Sequence, residues 1–143
     1  MQTTICLKSE AVIPANWKAI EEYDFSFLRP VAKEEYPDLD WDMYFPQFIT
    51  FLKLLTVQSK LRLPSQGVDR LLHVFICHTR TYRDFCQTMY GHFVDHEPET
   101  NLDRETVKIG HYALQALALE FFEKDPFVYD YKGQDCQCEA GNC

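Results

Sequence analysis

Apolar positions along this chain recur at three- and four-residue steps in three stretches. That spacing puts side chains on one face of an α-helix. Phe45, Phe48, Phe51, Leu52 and Leu55 make the first stretch. Asp40 or Asp42 can cap its start, and Pro46 is tolerable in a first turn. The helix is expected to reach about Lys60 and stop before Pro64. Ser65 opens the second and longest pattern, with Val68, Leu72, Phe75, Ile76, Tyr82, Phe85, Cys86 and Met89 along one stripe and a turn at Gly91. The third carries Val107, Leu114, Leu117 and Phe121 and should end before Pro126. Thr100 followed by Asp103 resembles a capping box at its start.

Upstream the signals are shorter. Asn16 to Tyr23 reads as a short helix with Pro14 near its first turn, and Pro30 to Tyr36 as another, stopped at Pro37. Strand patterning is weak throughout. The expectation is an all-α fold: a small single-domain helical bundle of three main helices plus one or two short N-terminal ones, over residues 1–132. Residues 133–143 hold almost no apolar side chain except Cys and are expected to form a flexible tail.

Composition narrows the partners. The chain has 143 residues, 22 acidic against 14 basic groups and a formal net charge of −8. An acidic surface argues against nucleic acid, whose binding needs cations to displace counterions, and against anionic lipid. Another protein is the expected partner. The charge is uneven: residues 1–60 carry −3, 61–98 are neutral, and 99–143 carry −5. Four of the five histidines lie in the neutral middle. No apolar run approaches the roughly 18 residues of a membrane span, and the start lacks a basic region followed by an apolar run. A cytoplasmic location with reduced thiols is therefore expected.

The neutral middle holds the candidate chemistry. Asp69, His73 and Cys77 are spaced i, i+4, i+8, along one helix face. An Asp one turn before a His can accept its ring N–H and fix the tautomer, an arrangement found behind metal-bound imidazoles. If the chain folds back at Gly91, His96 approaches His73. His73, His96, Asp95 and Cys77 would then offer nitrogen, oxygen and sulfur ligands to zinc or another transition metal, with Asp69 supporting them. The plainer reading is structural: an Asp69–His73 hydrogen bond locking the helix, Cys77 and Cys86 as small core residues, and His78 and His92 exposed. No strict ligand motif such as paired CxxC or HExxH occurs.

From Pro64 to Pro98 the chain reads PSQGVDRLLHVFICHTRTYRDFCQTMYGHFVDHEP. This resembles the conserved segment of the glycine-rich domain-containing protein-like family, with Pro64, Ser65, Val68, Asp69, His73, Ile76, Thr79, Tyr82, Phe85, Cys86, Gly91, His96 and Pro98 on pattern positions. The chain departs from that pattern at Leu72, where the family has Trp, and at Phe75 and Asp95, where it has His. The resemblance implies a helical fold and draws attention to His73, Asp69 and His96. It supplies no activity.

Near the end, Cys136, Cys138 and Cys143 fall within the last eight residues. Thiols on a mobile tail can chelate a soft metal, form mixed disulfides or be modified by a partner enzyme. Asp135 and Glu139 disfavour thiolate there. Nucleophile elbows and phosphate-cradling glycine loops are absent. Three functions follow: a small helical binding or accessory protein; a metal-dependent enzyme using His73, Asp69, Asp95 and His96; or a carrier whose tail cysteines are loaded or modified.

Overall fold

A computed structural model describes residues 6–96 and 103–130. The described residues form six helices, in the order α1 (Trp17–Glu22), α2 (Leu28–Glu35), α3 (Trp41–Leu54), α4 (Gln66–Cys77), α5 (Thr79–Tyr90) and α6 (Arg104–Leu119). The Cys136, Cys138 and Cys143 tail lies outside the described residues.

Side-chain caps set several helix starts. Asp40 accepts the Met43 N–H at α3, Ser65 the Val68 N–H at α4, and Asp103 the Thr106 N–H at α6. Asp103, expected as the distal member of a capping box, is thus itself the N-cap. Helix α3 begins at Trp41, earlier than its apolar pattern, so Pro46 sits inside it rather than in its first turn. With no N–H on Pro46, one intrahelical bond is missing, and the helix tolerates that near its start. It ends at Leu54, short of the expected Lys60; residues 55–65 form an irregular connection.

The long pattern from Ser65 to Gly91 divides. His78 leaves helical geometry (φ −85°, ψ 67°), so α4 and α5 are separate, and the bundle has four main helices rather than three. The His78 ring explains the break. Its Nδ1–H donates to the Val74 carbonyl at 2.9 Å, the group an α-helical His78 N–H would use, while that N–H turns to Phe75 instead. The ring also packs edge-on against Phe27. Helix α5 ends at Gly91 (φ 77°), the left-handed conformation that favours glycine.

One hydrophobic core joins the elements. Phe75 of α4 is its hub, meeting Phe25, Phe48, Tyr82 and Phe85 largely edge-to-face at 5.1–6.1 Å between ring centres. Close approach of α3 and α4 requires Gly67, because a Cβ there would overlap the Tyr44 ring. The segment after α6 wraps back over the other helices. Asp130 accepts the Gln66 N–H and the Tyr44 hydroxyl, and its own N–H donates to the Pro64 carbonyl. The N-terminal segment pairs beside it: Lys8 N–H donates to Phe121, Glu123 N–H donates to Cys6, and Leu7 forms an antiparallel bridge with Phe122.

Candidate functional site

Where the bundle leaves its packing incomplete, a cleft of about 510 Å³ opens. Its floor is apolar: Phe51 and Leu55 from the end of α3, Leu63 from the α3–α4 connection, Leu72 from α4, Tyr82 from α5 and Val94 from the segment after α5. Its rim is polar: Ser59, Lys60 and Arg62 on one segment, Asp95 and His96 on the other. The volume lies within the range of roughly 300–1,000 Å³ typical of small-molecule sites.

Each wall is held in place by specific contacts. The buried Tyr82 hydroxyl donates to the Val94 carbonyl at 2.6 Å and fixes the path of the chain after α5. Burial also pushes the Tyr82 phenol well above its ordinary pKa, so it serves as a neutral donor. His96 Nε2 lies 3.1 Å from Asp69 Oδ1, with both side chains half-buried. On the opposite wall, the aliphatic stem of Arg62 lies where a Cβ on Gly110 of α6 would be. The His111 ring donates through Nε2 to the Leu63 carbonyl at 3.1 Å.

The sequence-derived site residues separate into two pairs. Asp69 engages His96 rather than His73, one turn along. His73 is exposed, with Nε2 3.7 Å from the Sγ of Cys77, which is exposed as well. Asp95 is exposed on the cleft rim. The chain does fold back after Gly91, but Tyr82 and Asp69 receive it. Among the described residues, no three His, Cys, Asp or Glu side chains gather closely enough to hold a metal ion. The expected set of His73, His96, Asp95 and Cys77 is therefore not assembled around one point. Cys86 is a buried core thiol whose pKa burial raises, so it is a poor nucleophile.

Sequence reasoning missed Lys60, Arg62 and Tyr82 as site residues. A signal for the first two was present. No acidic residue occurs from Met43 to Val68, although the chain holds 22, while Lys53, Lys60 and Arg62 all lie there.

Fold and cleft together define a small all-helical protein with a preformed pocket at the junction of α3, α4 and α5. The UCP032817-like family matches residues 17–115, well over half of the chain, and the chain belongs to that family. No curated protein and no solved structure matches it. This match corrects the likeness read from Pro64 to Pro98: the family model that covers the whole of that segment is UCP032817-like, and not the glycine-rich domain-containing protein-like family. Leu72 and Phe75 are buried, and Phe75 centres the aromatic core, where an imidazole would be stripped of water. Among the described residues, no helix is long and apolar enough to cross a membrane.

Proposed function

We propose that this chain is a small binding protein whose ligand site is the cleft between the α3–α4 connection and the segment after α5. The observation that carries this reading is the division of the cleft into an apolar floor and a polar rim. The floor can hold a ligand's body by removing it from water, and the rim can orient its polar end. The walls are tied by Tyr82–Val94 and His96–Asp69, so little ordering remains for a ligand to impose.

A fragment screen read by amide chemical shifts tests the proposal. Binders should shift Leu63, Leu72 and Val94 together. Val94→Trp, which fills the floor from a loop position, should abolish those shifts while the remaining spectrum stays folded. Binders that map to another surface, and are indifferent to Val94→Trp, would overturn the reading.

A further inference from the structure

We infer that the cleft takes a zwitterion of the α-amino-acid type, with its apolar side chain on the floor, its carboxylate toward Lys60 and its ammonium toward Asp95. This rests on the cleft being the ligand site. The charged residues of the rim and the wall behind it, Lys60, Arg62, Asp69 and Asp95, balance one another in sign, so their total favours neither an anion nor a cation. Arg62 has an interaction of its own, and Asp69 is held by the Nε2 of His96. That leaves Lys60 on the α3–α4 connection and Asp95 on the segment after α5. They line the same cleft, yet among the described residues no ion pair joins them. The Asp95 carboxylate lies close enough to the Tyr82 phenol on the floor for its charge to act there. One charge of each sign, carried on separate segments above an apolar floor, complements a molecule with one carboxylate, one ammonium and one apolar arm. A ligand with a single charge pairs with one segment and gains nothing from the other.

The full chain is titrated with four probes sharing one alkyl body: norleucine, hexanoate, hexylammonium and hexanol. Amide shifts at Leu63, Leu72 and Val94 report the cleft. Norleucine should bind tightest. Lys60→Gln should weaken norleucine by up to about fivefold, the scale of one exposed ion pair, without weakening hexylammonium. Asp95→Asn should weaken norleucine to a similar extent without weakening hexanoate. Both side chains are exposed, so the fold should survive either change. Any of the other three probes binding as tightly as norleucine would overturn the zwitterion and leave the cleft reading standing. Norleucine affinity unchanged in either variant would overturn the pairing assigned to that residue. Failure of all four probes to shift the cleft amides would overturn both readings.

Discussion

His111 shows how a single side chain couples this fold to pH. It sits against the Tyr129 ring and donates to the Leu63 carbonyl, and removal from water lowers its pKa below the ordinary 6.5. The folded chain therefore binds fewer protons at this site than the unfolded chain. Its contribution to stability is present above about pH 6.5 and is lost as pH falls through the lowered folded value. His111→Gln keeps a donor for Leu63 but removes the titration. Its melting temperature should fall less than the parent's between about pH 7.5 and about pH 5.5. Parallel melting curves would refute the coupling. At this scale the sequence showed faces but not partners. The four-residue spacing puts Asp69, His73 and Cys77 along one face of α4, where His73 meets Cys77 but Asp69 does not meet His73. It could not show that Asp69 would choose His96, because that depends on the route taken after Gly91. Tyr82 sets that route from within the core, where its apolar ring was legible and its hydroxyl's destination was not.

At the scale of elements, the contact of α3 with α4 depends on the missing side chain of Gly67. Gly67→Ala would drive a methyl into the Tyr44 ring. The overpacking should cost about 1–3 kcal/mol, despite the better helix propensity of alanine. Denaturant unfolding measures this, with the neighbouring exposed Gln66→Ala as a control expected to stay within about 0.5 kcal/mol. A Gly67→Ala variant as stable as the parent would show that Tyr44 can move aside. Helix faces were read well from periodicity because core-facing residues keep their spacing. The division at His78 was not, because the buried stripe of α4 continues into α5 and the interruption is made by a ring bonding to Val74. Likewise Asp40 was recognisable as a cap, yet Pro46 suggested a helix starting later than Trp41.

The whole molecule combines one aromatic core with an uneven charge distribution. The all-helical class followed from three amphipathic stretches. The cleft did not, since its walls come from segments near residues 51–63, 72, 82 and 94–96, and no local pattern joins them. The pairing of Cys6–Lys8 with Phe121–Glu123 was also invisible, being made by backbone groups of residues nearly a chain length apart. Closing so long a loop is entropically expensive, so such contacts tend to form after the core. Lys8→Pro removes the N–H that donates to Phe121. It should accelerate unfolding while leaving the folding rate near that of the parent, as measured by stopped-flow kinetics. Slowed folding would instead put this pairing in the nucleus. During synthesis the early segment emerges first, yet its partner is among the last described residues to be made. The helices before α6 can therefore assemble while the chain is still growing, but these two segments can be fastened only once translation has passed Glu123.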